Sequence, residues 1–338
     1  MSNYIHIGYP KNLSTTLQID FFAKHSQLNH LGMGYGGENL KYINSDMSIY
    51  MEALLRSRDI SFNNIKEELH EKIKAELPDA FGISHENLSY HFSNDEVDLN
   101  QKVERLFSFF GKNTKIIVIV RNQFSLIKSL YKESLKSGLS INFYDYINML
   151  YKNKFHSYLN EFQFDKVIGL YEKKFGLQNI LILPLEEYRR NGNLLKNKDR
   201  YCLLEKICEF LNINYENIDL NPNNPSMDDE EAFHLLELNK QYRYNLGRGN
   251  YYLIDKHKYI DVFDYLGYKD SDIYFDVKIK RNLIEYSKEL AKNDLRKIDY
   301  YANPKILKKL EELFIVSNEK LAKNYNLTLP DSYFKMEF

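Results

Sequence analysis

The segment Lys115–Val120, KIIVIV, constrains the fold more than any other part of the chain. From Ile116 onward every residue in it is apolar and β-branched, which favours extended backbone and leaves no polar face for solvent. A strand of that kind belongs in a parallel sheet with helices packed on both faces. Other short runs fit the same sheet: Tyr4–Tyr9 (YIHIGY), Asp79–Ser84 (DAFGIS) and Ile180–Leu183 (ILIL), the last stopped by Pro184. Helices are expected from the turn after Tyr9 to about Leu28, over Met47–Arg58, Ile65–Leu77 and Leu99–Phe110, and over Phe124–Ser137 with Gly138 as its cap. Later segments read as mainly helical: Tyr201–Leu211, Asp229–Tyr244, Ile279–Lys297 and Pro304–Tyr325. The expected class is α/β, with a mostly parallel central sheet flanked by helices and a long helical C-terminal half.

The 338 residues are read as a single domain over 1–338. The loop Asn221–Ser226 (NPNNPS) is a possible boundary, but the strands before it need the later helices to cover them. With 43% hydrophobic and 28% charged residues, a disordered chain is excluded. The formal net charge is -1, so no overall field draws the chain to nucleic acid or to an anionic membrane. Anions must be held by local arrangements. Cys202 and Cys208 offer neither a disulfide framework nor a zinc set and read as core thiols in a reducing compartment. No leader-like segment opens the sequence, and the longest apolar run falls far short of the roughly 18 residues a membrane helix needs. A cytoplasmic protein without stable membrane insertion is expected. The 28 tyrosines are spread along the whole chain, so compositional bias explains them better than a nucleic-acid stacking surface.

Two segments carry chemistry. Tyr9-Pro10-Lys11-Asn12-Leu13-Ser14-Thr15-Thr16-Leu17-Gln18 links the first strand to its helix. Free backbone N–H groups and the positive helix end there suit a phosphate. Lys11 adds a charge, and Ser14, Thr15 and Thr16 add hydroxyls. The loop lacks the Gly-Lys-Ser/Thr of a Walker A motif, and a plain Ser/Thr-capped helix fits it too. The second segment, Arg121 to Tyr131, begins where KIIVIV ends. Arg121 can fork onto a phosphate, and Ser129 lies two helical turns on. By itself it also reads as a capped helix with an arginine on its rim.

The order strand–PKxxSTT–helix, then strand–RNxxxxxxS–helix, resembles the PAPS-dependent sulfotransferase family, whose donor is 3′-phosphoadenosine 5′-phosphosulfate. The resemblance extends to Ile180–Tyr188 with Leu203–Leu211, and to Leu313–Tyr325 with Ser317-Asn318. It implies that Lys11, Asn12, Ser14, Thr15 and Thr16 hold the 5′-phosphosulfate end and that Arg121 and Ser129 hold the 3′-phosphate. Two positions depart from the pattern. Leu13 replaces a small residue and would narrow the loop or turn outward, and Gln123 replaces a proline and should only relax the helix start.

Sulfuryl transfer by in-line displacement needs a general base near the acceptor, and Lys11 suits the leaving oxygen. Three residues compete as base. Glu38, in the loop Gly34-Tyr35-Gly36-Gly37-Glu38, matches by position a catalytic glutamate of the glycan-modifying branch. His85 resembles the Thr-His strand end of the small-molecule branch, and its neighbour Glu86 resembles a bacterial variant of it. A solvated loop charge fits each as well. Nothing in the sequence supports a metal: there is no HExxH, and His85 and His91 lack acidic partners at ligand spacing. His6 reads as a satisfied core histidine, and Gly247-Arg248-Gly249 as either a lid or a plain loop. The expected function is transfer from PAPS, with release of PAP, to a hydroxyl or amine of a small molecule or glycan. A nucleotide kinase or a noncatalytic nucleotide-binding module is the alternative.

Overall fold

β3 (Lys115–Val120) sits inside a four-stranded sheet of order β2-β1-β3-β4, with β1 at Tyr4–Gly8, β2 at Gly82–His85 and β4 at Ile180–Pro184. Every ladder is parallel, and the register pairs Ile5 with Ile83 and Ile116, and Val120 with Pro184. The α/β expectation holds. The computed structural model describes residues 2–32, 45–89, 97–154, 157–190, 193–221, 227–243 and 282–335.

The period-2 geometry of a strand sends successive side chains to opposite faces. Ile116, Val118 and Val120 enter one core, while Ile117 and Ile119 enter the other. The larger core is closed by α2 (Ser45–Arg56), α3 (Asp59–Glu76), α4 (Leu99–Phe110), α5 (Gln123–Lys136), α6 (Phe143–Lys152), α7 (Phe164–Phe175), α9 (Asp229–Arg243) and α10 (Pro304–Tyr325). The smaller is covered by α1 (Ser14–Thr16, continuing as a π-helix over Leu17–Phe22) and α8 (Cys202–Leu211), which carries the free Cys202 and the buried, free Cys208. Short antiparallel pairs, β5 (Arg189–Arg190) with β6 (Asn193–Leu194) and β7 (Lys196–Asn197) with β8 (Arg200–Tyr201), lie between β4 and α8. Residues 282–291 are also helical. No helix among the described residues is long and apolar enough to cross a membrane.

Local chemistry explains where expectation and structure part. β2 starts at Gly82 rather than Asp79, because Asn29 Nδ2 donates to the Ala80 carbonyl and Asn3 Oδ1 accepts from Phe81 N, holding the approach outside the ladder. The first helix ends near Phe22 rather than Leu28, where the widened π-helical turn closes on Ala23. α6 and α7 occupy a stretch to which the sequence reading assigns no element. α6 is capped by Asn142, whose side chain accepts from Asp145 N. Gly138 has φ +91°, as a helix cap requires.

Under β1 lies a buried aromatic stack. Phe22 packs against Tyr4, His6 and His30, with ring centroids 5.2, 5.3 and 5.4 Å away. His6 Nδ1 pairs with Ser84 Oγ at 2.7 Å and His30 Nδ1 with Tyr4 Oη at 2.8 Å, while both Nε2 atoms are buried without a partner. His6 is thus only half satisfied. Burial holds both imidazoles neutral, with pKa values near about 3, and His30 further disfavours charge on His6. The unfolded chain takes up these protons below its ordinary histidine pKa while the native state does not. Stability is therefore complete above about pH 6.5 and falls as pH drops toward 3, by up to about 1.4 kcal/mol per pH unit for each ring. Urea unfolding from pH 7 to pH 4.5 should show this loss, and it should shrink in His30→Phe. A flat profile would mean that both rings titrate normally.

Candidate functional site

Because all four strands run parallel, the loops after them converge on one edge of the sheet, where open α/β sheets bind ligands. Lys11 follows β1, His85 and Glu86 follow β2, Arg121 follows β3, and Glu186 with Arg189 follow β4.

The first loop is tightly drawn. A Cβ on Gly8 would stand 2.5 Å from Ser14 Oγ, so a larger residue there would displace the Ser14 side chain from its place over the strand end. Lys11 and Leu13 adopt left-handed backbone, with φ 63° and 66°, on either side of Asn12. Side-chain-bearing residues hold that conformation only when their surroundings enforce it, and such positions gather at ligand clamps. The enforcement comes from Asn12, which is buried and donates from Nδ2 to the Ile119 carbonyl at 2.9 Å, and from Ser14 Oγ, which donates to the Tyr9 carbonyl at 3.1 Å. Asn12 Oδ1 is buried without a partner. Ser14 therefore shapes the loop from within, while Thr15 is partly exposed and Thr16 reaches the Asn221 carbonyl at 3.4 Å. Leu13 does not narrow the loop; it packs on the smaller core.

Lys11 Nζ is held 2.6 Å from Glu133 Oε2, on α5 one turn beyond Ser129. Lys136 approaches the same carboxylate at 3.3 Å. Burial pushes the Glu133 carboxyl up, but these ammonium groups outweigh it and leave it below the usual range. Glu86 faces the same lysine. Burial raises it to about 7, against the pull of Lys11 and with a contribution from Glu133. His85 differs. Its Nδ1 accepts from Asn87 N at 2.8 Å, and burial together with the Arg56 and Lys102 charges lowers its pKa to about 3. A neutral ring so bonded carries its proton on Nε2, which makes it a donor at neutral pH rather than a base.

Arg121 meets the first loop directly: Nη1 donates to the Lys11 carbonyl at 3.3 Å. Its neighbour Asn122 caps α5 through Ser125 N and donates from its own N–H to Glu186 Oε1 at 2.9 Å. Glu186 Oε2 accepts from Tyr333 Oη at 2.7 Å, which brings the segment after α10 to the same edge. Gln123 does more than relax a helix start. It is buried and exchanges hydrogen bonds with Asn318 of α10 at 2.8 and 3.1 Å. Ser129 is nearly buried on α5. The structure thus brings the loop Lys11–Thr16, His85, Glu86 and Arg121 to one sheet edge, with Ser129 on α5 one turn before Glu133. Glu38, Gly247-Arg248-Gly249 and most of Asn221–Ser226 lie outside the described residues.

No family model matches the sequence, and no curated protein matches it. Among solved structures, a sulfotransferase from Alicyclobacillus acidocaldarius superposes with a TM-score of 0.44 at 12% identity, over 75% of this chain and 99% of that one. A likeness that loose carries no weight for function. Among the described residues, no group of three or more His, Cys, Asp or Glu is placed to hold a metal ion.

Several site residues escape sequence reasoning. Glu133 has a signal in hindsight, since it falls four residues after Ser129 and so on the same helix face. Glu161 has none: it lies between α6 and α7, and burial raises its carboxyl to about 7. Glu186 reads in sequence as one acid of Glu186-Glu187, and only the fold sets it against Asn122 and Tyr333. If Glu133 competes for Lys11, Glu133→Gln should tighten binding of inorganic phosphate about two- to fivefold, the worth of a half-exposed ion pair. It should also lower the Glu86 pKa below about 7, since Lys11 is released and a like charge removed. Calorimetry and carboxyl NMR titration read the two effects, and no change in either would remove Glu133 from the site.

Proposed function

We propose that the chain is a sulfotransferase that moves a sulfuryl group from PAPS to a hydroxyl or amine acceptor and releases PAP. The observation that carries this reading is the contact of Arg121 Nη1 with the Lys11 carbonyl, which joins the two anion-suited loops at one edge. A doubly phosphorylated nucleotide needs two such loops within its own length. The donor set fits it: left-handed backbone at Lys11 and Leu13, an ammonium, a guanidinium and hydroxyls.

PAPS supplies a sulfuryl group activated by its link to phosphate. Lys11 and the backbone N–H groups from Asn12 to Thr16 would hold the 5′ end, and Arg121 with Ser129 the 3′-phosphate. Lys11 also offsets negative charge on the leaving oxygen once it turns from Glu133. Glu86 is the base of choice. A carboxylate with a pKa of about 7 both exists at neutral pH and binds a proton firmly enough to take it from an acceptor. The His85 Nε2–H can orient the acceptor as a donor. The acceptor class, a small molecule or a glycan, follows from the family resemblance, and a cytoplasmic setting from the sequence reading of the chain's start and apolar runs.

Lys11→Ala and Arg121→Ala should each weaken PAP binding tenfold or more, as expected for loss of a charge-assisted bond of about 1.5–3 kcal/mol. Calorimetry measures this beside the melting of the ligand-free variants; unaltered affinity in both would end the site assignment. In a thermal-shift series PAP should stabilise the chain more than ATP with Mg²⁺, and the reverse order would favour a kinase.

Glu86→Gln should abolish turnover with PAP affinity nearly intact. In the wild type, kcat/KM should fall as pH drops through about 7, because the base becomes protonated. An active Glu86→Gln would pass the role to Glu38.

A further inference from the structure

Arg189 begins β5, just beyond the turn that follows β4. The β3–β4 ladder pairs Val120 with Pro184, so the residues immediately after them, Arg121 and Leu185, leave the sheet side by side. Asn122 N then donates to Glu186 Oε1 at 2.9 Å, tying the two strand ends together. A second guanidinium is thereby brought to the edge where Arg121 stands.

That guanidinium is poorly provided for by the protein. Arg189 Nε is buried without a hydrogen-bond partner. The carboxylate within its reach, Glu186, already accepts from Asn122 N and from Tyr333 Oη on separate oxygens. Arg121 draws on the same carboxylate, and the Arg121 charge opposes that of Arg189 across a partly buried space. Two cations thus share one anion, each oxygen of which already accepts a hydrogen bond from elsewhere. Like charges out of full solvent are costly unless a counter-charge compensates them. A planar arginine fork is matched by the oxygens of a phosphate monoester, and a dianion would satisfy two forks at once.

We propose that Arg189 is a specificity-determining residue that, with Arg121, selects a donor bearing a terminal phosphate monoester on its ribose. The proposal rests on the sulfotransferase reading above and extends it, since that reading gives the 3′-phosphate to Arg121 and Ser129 only. Glu186 is then the spacer that keeps the two guanidinium groups apart and oriented before the dianion arrives. A nucleotide without the ribose phosphate makes no use of Arg189.

The test compares PAP with 5′-AMP by calorimetry on wild type, Arg189→Ala and Arg121→Ala. Arg189→Ala is expected to lose tenfold or more in affinity for PAP and less than twofold for 5′-AMP, which collapses the preference between them. An unchanged PAP to 5′-AMP ratio in Arg189→Ala, with the ratio reduced in Arg121→Ala, overturns this inference and leaves the nucleotide site standing. An unchanged ratio in both variants overturns the site itself. Should Arg189→Ala fold poorly, Arg189→Lys carries the same test. It keeps the charge but loses the fork, so a loss of about three- to tenfold confined to PAP supports the proposal, and wild-type affinity for both ligands refutes it.

Discussion

The two-sided burial of β3 is the constraint from which the rest of the molecule follows. Each of its five apolar residues is fully inaccessible, and each contributes about 1.5–3 kcal/mol by leaving water. That gain requires helices on both faces, and helices on both faces require crossover connections, which make the neighbouring strands parallel. Parallel strands place all their carboxyl ends together. The clustering of Lys11, Glu86, Arg121 and Glu186 is a geometric result of packing five β-branched side chains, before any ligand is considered.

The edge so formed is electrostatically unusual. Two lysines share the Glu133 carboxylate, and beside them burial raises the Glu86 carboxyl to about 7 against the pull of Lys11. After β4, Glu186 favours the charge of both Arg121 and Arg189, and the Arg121 charge opposes that of Arg189. Elsewhere among the described residues several ion pairs join exposed helix neighbours, such as Lys288 with Glu285 and Lys292 with Glu289, and contribute little. The site differs because its charges are partly removed from solvent and unequally matched. Such an arrangement costs stability in the free protein, and a bound polyanion would compensate it.

Much of this was legible in the sequence. KIIVIV announces the sheet, and the placing of Lys11 and Arg121 just beyond the ends of two of its strands is legible from the order of the strands. The choice between His85 and Glu86 was not legible. The two are adjacent and differ in role only through partners: Asn87 N fixes the His85 tautomer, while burial beside Lys11 and Glu133 raises Glu86. The helices α6 and α7 were missed because FYDYINMLYK is rich in Tyr, Phe and Asn and FDKVIGLYEKKF carries Val, Ile, Phe and Gly169, all indifferent or poor helix formers, and packing overrides that weak preference.

The sequence by itself determined the α/β class, the burial of β3 and the position of both loops, since these depend on local periodicity and on residues near one another along the chain. The tertiary structure alone decided which charges face each other. Lys11 with Glu133, Asn122 with Glu186 and Tyr333 with Glu186 are separated by 122, 64 and 147 residues. Pairings at such distances are set by how helices and strand ends pack in space, and nothing in the local pattern of residues encodes them.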